Sequence, residues 1–203
     1  MINVPLNGKK KKFKRIDKMI IYIHGFGSSG KGGKASFFRD YFKEKNIRFI
    51  APSLSYVPEL AIDTLEQLIN SYDEPITLMG SSLGGFFSIY LAEKYGLKAV
   101  LINPAVDSSK TLKRVINKLG VAKNYFDEST FEWNESHVEM LKAYRTTKVK
   151  NGEYLLFLQK GDEVLDYKEA LEKLPLATTV LEEGGTHPFE GIERHVEQIL
   201  GFV

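Results

Sequence analysis

Residues 80–85, with the sequence GSSLGG, carry the clearest chemical signal in this chain of 203 residues. They contain the pattern Gly-x-Ser-x-Gly between a short apolar run, 76–79, and a helical pattern, 83–95. A serine on such a strand-to-helix turn has a strained backbone, so small residues must lie two positions before it and two after it. Glycines occupy both positions around Ser82 but neither position around Ser81. We therefore predict that Ser82 is a nucleophile for acyl transfer.

A serine hydroxyl is a weak nucleophile unless a histidine accepts its proton and an acid orients that histidine. On a turn of this kind, the acid and then the histidine follow the serine along the chain. His187 lies in a loop after the last predicted strand, 178–181, and we predict that it is the base. His24 is predicted to brace the loop after the first strand, whereas His137 lies in a long segment between strands and His195 in the terminal helical pattern.

Two aspartates follow the predicted strand 154–158, in the sequence GDEVLD. Asp162 lies nearer to the end of the strand, where the orienting acid belongs. Asp166 directly precedes the predicted helix 167–174 and suits a helix cap, a role that aspartate favours. We therefore predict Ser82, Asp162 and His187 as a catalytic triad.

The negative oxygen of a tetrahedral intermediate needs hydrogen-bond donors. The backbone N–H of Leu83, directly after the nucleophile, is one predicted donor, and that of Phe26, in the loop after the first strand, is the other. The mechanism requires no metal ion and no organic cofactor. An apolar pocket suits an acyl chain, and the residues predicted to line it are Phe86, Phe126, Phe131 and Trp133.

The loop 25–31 also fits a different chemistry, because it reads Gly-x-x-x-x-Gly-Lys after a predicted strand. A phosphate-binding loop of this type continues with Ser or Thr, whose hydroxyl contacts Mg²⁺. Gly32 takes that place here, and no acidic residue ends a neighbouring strand to supply the second magnesium contact. Nucleotide binding through Gly25 to Lys31 is therefore the weaker alternative. A protein that keeps the architecture of a serine hydrolase but only binds its ligand is another.

Short apolar runs alternate with longer helical patterns along the chain, and this alternation positions the candidate residues. Continuous apolar runs of four to six residues are typical of strands buried on both faces of a parallel sheet. The predicted strands are 19–23, 48–51, 76–79, 99–102, 154–158 and 178–181, and the predicted helices are 35–45, 61–71, 83–95, 167–174 and 192–200. We therefore predict an α/β fold, a mostly parallel sheet with helices on both faces.

The segment 103–152 interrupts this alternation, because a crossover between strands needs only a dozen or more residues. It contains helical patterns at 111–119 and 135–144. An insertion after the carboxyl end of a strand lies where such sheets bind ligands, so we predict a helical lid at about 107–150. The alternative is a segment that only covers the sheet.

The length and the composition, which is typical of soluble globular proteins, predict one folded domain over residues 19–203. Apolar residues make up 43% and charged residues 27%, and no apolar run reaches the roughly 18 residues of a membrane-spanning helix. The absence of cysteine excludes disulfides and a cysteine nucleophile. We predict a cytoplasmic protein, a monomer or a small homo-oligomer, whose partner is a small-molecule acyl ester or thioester.

Residues 1–15 hold six Lys or Arg residues and no acid, although the formal net charge is only +2. Like charges in such a run repel one another, so we predict a basic, flexible arm over residues 1–18. A signal peptide is disfavoured, because the apolar run after the arm is short and lacks a small-residue cleavage site. The rest of the chain is net acidic, so nucleic acid is not an expected partner.

Together these motifs resemble those of the YqiA-like esterases, a family of small bacterial α/β-hydrolases. The resemblance implies an α/β-hydrolase fold, the triad Ser82, Asp162 and His187, and hydrolysis of carboxylic esters or acyl thioesters. Two features depart from the family pattern: the basic arm has no counterpart, and Pro188 stands where a small residue is expected. The matching blocks, spread over about residues 19 to 200, are Gly25-Phe26 with Ser28-Ser29, Lys34-Ala35-Ser36, 80–85, 103–106, 161–167, and Glu183-Gly184-Gly185 with His187.

Overall fold

A computed structural model describes residues 18–203, and the predicted basic arm, but for Lys18, lies outside these described residues. The strands are β1 Met19–Ile23, β2 Arg48–Ile50, β3 Ile76–Ser82, β4 Lys98–Pro104, β5 Val121–Lys123, β6 Thr130–Glu132, β7 Glu153–Gln159 and β8 Thr178–Glu182. The helices are α1 Gly33–Glu44, α2 Pro58–Asn70, α3 Leu83–Tyr95, α4 Ser108–Lys113, α5 Glu135–Lys142, α6 Tyr167–Lys173 and α7 Val196–Phe202.

Six of these strands form one parallel sheet in the order β2-β1-β3-β4-β7-β8. All six were predicted from their apolar runs, with ends that differ by at most three residues. Because every strand runs the same way, the carboxyl ends of β3, β7 and β8 meet at one edge of the sheet. Ser82 is the last residue of β3, and Asp162 and His187 follow the ends of β7 and β8.

Both faces of the sheet are covered by helices, which explains why the strands lack polar alternation. In β1, the side chains of Met19, Ile21 and Ile23 belong to a core with α2 and α3, whereas Ile20 and Tyr22 belong to a second core with α1 and α7. Successive strand residues point to opposite faces, so β1 contributes to both cores. The predicted α/β fold with helices on both faces is confirmed.

The segment between β4 and β7 contains α4, the antiparallel hairpin β5–β6 and α5. The predicted helix 111–119 is wrong, because α4 begins earlier and ends at Lys113. The Asp107 side chain caps its start by accepting a hydrogen bond from the Lys110 N–H. Beyond it, Asn117 accepts a hydrogen bond from the Leu119 N–H, and Gly120 has a positive φ of 64°, so the chain turns into the hairpin.

Near the end of the chain, the predicted helix 192–200 divides into a 3-10 turn, Ile192–His195, followed by α7. No helix among residues 18–203 has the length and apolarity to cross a membrane.

Candidate active site

Ser82 ends β3 and directly precedes α3, with φ of 55° and ψ of −120°. A positive φ with this ψ is strained for a residue with a Cβ atom, and such strain is concentrated at functional sites. The flanking glycines permit it: a Cβ at Gly80 would overlap the carbonyl oxygen of Gly84, and one at Gly84 would overlap that of Ile23. The Gly-x-Ser-x-Gly pattern therefore reflects the close packing of α3 on β1 and β3.

The side chains of Ser82, His187 and Asp162 form a continuous chain of hydrogen-bond distances. His187 Nε2 lies 3.0 Å from Ser82 Oγ, and His187 Nδ1 lies 2.9 and 3.0 Å from the two carboxylate oxygens of Asp162. With Nδ1 donating to the carboxylate, Nε2 of a neutral imidazole is free to accept the serine proton. The structure thus brings together the three residues that the sequence predicts as a triad.

Asp162 is held in place by its own loop. Its Oδ1 accepts the backbone N–H groups of Val164 and Leu165, at 2.9 and 2.8 Å. The Asp162 side chain is only 2% exposed, whereas that of His187 is 19% exposed. The second aspartate, Asp166, caps α6 by accepting the Lys168 N–H at 3.0 Å, as predicted.

Two buried amides that sequence reasoning missed hold the histidine loop against the sheet. The Asn103 side chain donates to the carbonyl oxygens of Thr186 and His187, at 3.0 and 3.1 Å, and accepts the Gln159 N–H at 3.0 Å. The Gln159 side chain accepts the N–H groups of Thr186 and Glu190, at 3.2 and 2.9 Å. A polar Asn and Gln near the ends of apolar strands could have marked these positions, although not the loop that they bind.

The predicted oxyanion donors lie on α3 and on the loop after β1, both of which approach Ser82 closely. Leu83 is the first residue of α3, so its N–H has no acceptor within the helix. A Cβ at Gly25 would lie 3.2 Å from the Cβ of Ser82, which shows how closely the loop before Phe26 approaches the serine. The Phe26 ring is packed edge-on against Trp133, with 4.6 Å between ring centroids.

Two backbone N–H groups of the loop 25–31 are used within the protein. The Gly30 N–H donates to the Ser53 hydroxyl, and the Lys31 N–H donates to the Ser29 hydroxyl. A Cβ at Gly30 would overlap the Ala51 carbonyl oxygen, so this glycine serves close packing. A phosphate-binding loop directs its N–H groups at the ligand, so the occupation of these two weakens the nucleotide alternative.

The other histidines have structural partners. His24 Nε2 accepts the Leu54 N–H at 3.0 Å, and burial lowers the pKa of His24, as suits a neutral ring that braces a loop. His137 Nδ1 accepts the Asn134 N–H in the capping box of α5. His195 lies 2.8 Å from Glu182.

A cavity of about 690 Å³ opens beside Ser82 and His187. This volume lies within the range of small-molecule sites. The inserted segment 105–152 supplies part of its wall, through Leu112, Val115 and Tyr125. Two charged groups of the wall lie next to the histidine: Lys34 donates to the Pro188 carbonyl oxygen, and Glu163 accepts the His187 N–H at 3.0 Å.

The four aromatic residues predicted to line the pocket are absent from the wall of this cavity. Trp133 is 1% exposed and donates its indole N–H to the Leu112 carbonyl oxygen, and Phe131 stacks on Tyr56. Phe86 is buried in the core below α3, and Phe126 is exposed. The buried apolar side chains of the inserted segment belong to the core that the sheet shares with α2 and α3, and Phe26 packs against it. Trp133 borders a second, smaller cavity of about 20 Å³.

Two solved structures share the architecture of this chain. Alpha/beta hydrolase domain-containing protein 10 from mouse matches with a TM-score of 0.70 and 19% identity, over 90% of this chain and 89% of that one. Est1E from Butyrivibrio proteoclasticus, solved with ferulic acid bound, matches with a TM-score of 0.70 and 13% identity, over 91% and 89%. At these identities the likeness establishes the fold, which is that of the α/β-hydrolases.

The sequence itself is similar to proteins of one bacterial family. A UPF0227 protein of Pasteurella multocida is 27% identical over 190 residues, which are 91% of this chain and 98% of that protein. The sequence model of the uncharacterised protein family UPF0227 matches residues 19–203. The chain therefore belongs to the UPF0227 family, the YqiA-like proteins that its motifs resemble.

Proposed function

We propose that this protein is a serine hydrolase that cleaves carboxylic esters or acyl thioesters through an acyl-enzyme intermediate. The observation that carries the proposal is the hydrogen-bond chain from Ser82 Oγ through His187 to the Asp162 carboxylate, with distances of 3.0 and 2.9 Å. Its position at the carboxyl ends of three parallel strands supports a site rather than a chance contact, because α/β sheets bind ligands there.

In the proposed mechanism, Ser82 Oγ attacks the carbonyl carbon of the ester while His187 Nε2 takes the serine proton. Asp162 stabilises the imidazolium that forms and holds its Nδ1–H in place. The N–H groups of Leu83 and Phe26 stabilise the negative oxygen of the tetrahedral intermediate. His187 then gives its proton to the leaving alcohol or thiol, and the acyl group remains on Ser82.

Water releases the acyl group in the second half of the reaction. His187 takes a proton from the water as it attacks the Ser82 ester, and returns that proton to Ser82 Oγ as the acid leaves. The inserted segment covers the bound acyl group in this proposal, because Leu112, Val115 and Tyr125 form part of the cavity wall.

The solved structures with this fold support ester hydrolysis, and the proposal also includes thioesters. The Est1E structure holds ferulic acid, and another solved structure with this fold is that of a carboxylesterase from Nitrososphaera gargenis. A proton relay of the kind proposed here accepts either an oxygen or a sulfur leaving group, so esters and thioesters are both included.

Labelling with a fluorophosphonate probe tests the proposal, since such probes react with an activated serine without knowledge of its substrate. We expect labelling of the wild type, loss of labelling in Ser82→Ala, and retained labelling in Ser81→Ala, the matched control. Hydrolysis of 4-nitrophenyl and thiocholine esters then separates ester from thioester turnover. A folded wild-type protein that neither reacts with the probe nor hydrolyses these esters would be a binding protein with the hydrolase fold.

A further inference from the structure

Two cationic side chains, those of Lys34 and Arg114, line the cavity beside Ser82. They come from separate parts of the chain: Lys34 lies in the first turn of α1, and Arg114 directly follows α4 in the inserted segment. The fold therefore places two positive charges in the wall of one cavity.

Neither cation forms an ion pair with a carboxylate of residues 18–203. Arg145, by contrast, lies 3.1 Å from the Asp107 carboxylate. The Lys34 ammonium donates to the carbonyl oxygen of Pro188, and an ammonium has three N–H donors. Both cations therefore keep donor capacity for a group that enters the cavity.

Among the described residues that line this cavity, Glu163 carries the one carboxylate, and it accepts the His187 N–H. Two cations against one anion leave the wall net positive. Burial lowers the pKa of Lys34, because a half-buried ammonium loses hydration. An anion in the cavity would restore favourable interactions to that ammonium and to the Arg114 guanidinium.

We propose that the substrate carries an anionic oxygen group, a carboxylate or a phosphate, which Arg114 and Lys34 bind while Ser82 attacks the ester. The planar guanidinium suits two oxygens of one anionic group. The apolar wall, which includes Val115 and Val164, contacts the alkyl portion of the substrate. This proposal rests on the proposed hydrolase function for its choice of an ester, whereas the anion site depends on the cavity alone.

Binding to the Ser82→Ala variant tests the anion site without turnover. Calorimetry compares monomethyl glutarate with its neutral match, dimethyl glutarate, and 1-butyrylglycerol 3-phosphate with 1-butyrylglycerol. We expect the anionic member of at least one pair to bind about tenfold more tightly, the effect of one charge-assisted hydrogen bond. The pair that shows the preference identifies the anion as carboxylate or phosphate.

Matched variants in the Ser82→Ala background test the two cations. Arg114→Gln and Lys34→Met are expected to remove most of the preference and to change binding of the neutral member less than about twofold. Lys113→Gln and Lys31→Met are the controls, because each removes a nearby charge that does not line the cavity. These controls are expected to keep the preference.

Equal binding of the anionic and neutral members in both pairs overturns the proposal. It is also overturned if Arg114→Gln has no effect while Lys34→Met weakens both members equally, because Lys34 would then serve only to hold Pro188. Failure of the hydrolase function is a separate result, seen as absent fluorophosphonate labelling of the wild type.

Discussion

The side-chain amide of Asn103 donates a hydrogen bond to the carbonyl oxygen of His187, 3.1 Å away, although 84 positions separate them in the chain. Asn103 lies one residue before the end of β4, is 2% exposed and has a φ of 39°, a conformation that asparagine tolerates better than most residues. The same side chain accepts the Gln159 N–H. Asn103 therefore connects β4, β7 and the loop that carries the candidate base.

Asn103→Ala is expected to lower kcat about 10- to 100-fold with little change in KM. Displacement of His187 would slow proton transfer but would leave the substrate-binding cavity largely intact. It is also expected to lower the free energy of unfolding by about 2 kcal/mol, since the backbone groups that bind the Asn103 side chain lose their hydrogen-bond partner. Asn151→Ala is the control, because the Asn151 amide binds the Glu93 carbonyl oxygen at an exposed position. Steady-state kinetics and urea unfolding of both variants measure these effects, and an unchanged kcat in a folded Asn103→Ala protein would contradict the positioning role.

The turn at Ser82 depends on the absence of a side chain at Gly84. Gly84→Ala is expected to reduce the free energy of unfolding by about 3 kcal/mol or more, because the added Cβ overlaps the Ile23 carbonyl oxygen and β1 cannot move freely. Gly201→Ala in α7 is the control: its Cβ would have no neighbour within 4 Å, and we expect a gain of about 0.5–1 kcal/mol from helix propensity. Chemical unfolding measures the free energy of unfolding of both variants. Similar values for the two would contradict the requirement for glycine at position 84.

The two aspartates of the loop after β7 are expected to respond differently to the same change. Asp162→Asn should lower kcat by roughly 10⁴-fold, because an amide no longer selects the imidazole tautomer that accepts the serine proton. Asp166→Asn should have little effect on kcat or stability, because asparagine caps helices as well as aspartate does. Measurement of kcat and melting temperature for both variants tests this prediction. A larger loss of kcat in Asp166→Asn would show that Asp166, and not Asp162, orients the histidine.

Acid stability is expected to depend on Glu182 at the end of β8. Burial raises the pKa of this carboxyl, but hydrogen bonds from Gln159, Arg194 and His195 outweigh it and lower the pKa to about 2. Because this value lies below the usual pKa of about 4.3, the ionised carboxylate stabilises the fold above that pH, and the contribution is lost as the pH falls toward about 2.

Glu182→Gln should therefore be less stable than the wild type at neutral pH and should lose less stability on acidification. Glu183→Gln is the control, since that exposed carboxylate pairs with Lys160 at the surface. Urea unfolding midpoints across the acid range provide the measurement, and parallel curves for Glu182→Gln and the wild type would oppose this role.

The strands and the three candidate catalytic residues were predictable because each has a local signal. The run 19–23 is apolar throughout since β1 is covered on both faces, and the turn at Ser82 requires glycines at fixed positions. The bond between Asn103 and His187 has no such signal, because it joins distant segments that only the folded sheet brings together. The hairpin β5–β6 was missed because strands of three residues are too short to show a period.

The aromatic residues of the inserted segment show a different limit: their apolarity predicts burial but not which surface they face. Trp133 is buried in the core, whereas Tyr125 lines the cavity and is 77% exposed. Trp133→Ala is therefore expected to reduce the free energy of unfolding by about 3–5 kcal/mol, through loss of packing and of the bond to the Leu112 carbonyl oxygen. Among the molecules that remain folded, the preference among 4-nitrophenyl esters of increasing acyl length should stay as in the wild type.

Tyr125→Ala is expected to give the opposite pattern, because its ring contributes to the cavity wall but little to the core. Unfolding should change by less than about 0.5 kcal/mol, as for other exposed positions. The ratio of kcat/KM between a long and a short ester should fall, since each methylene that loses contact with the wall forfeits up to about 0.8 kcal/mol. Unfolding curves and an ester series on both variants, corrected for the folded fraction, separate the two roles. The contrary result is a flattened chain-length profile in Trp133→Ala together with an unchanged profile in Tyr125→Ala. Trp133 would then contact the acyl chain, as the sequence predicts.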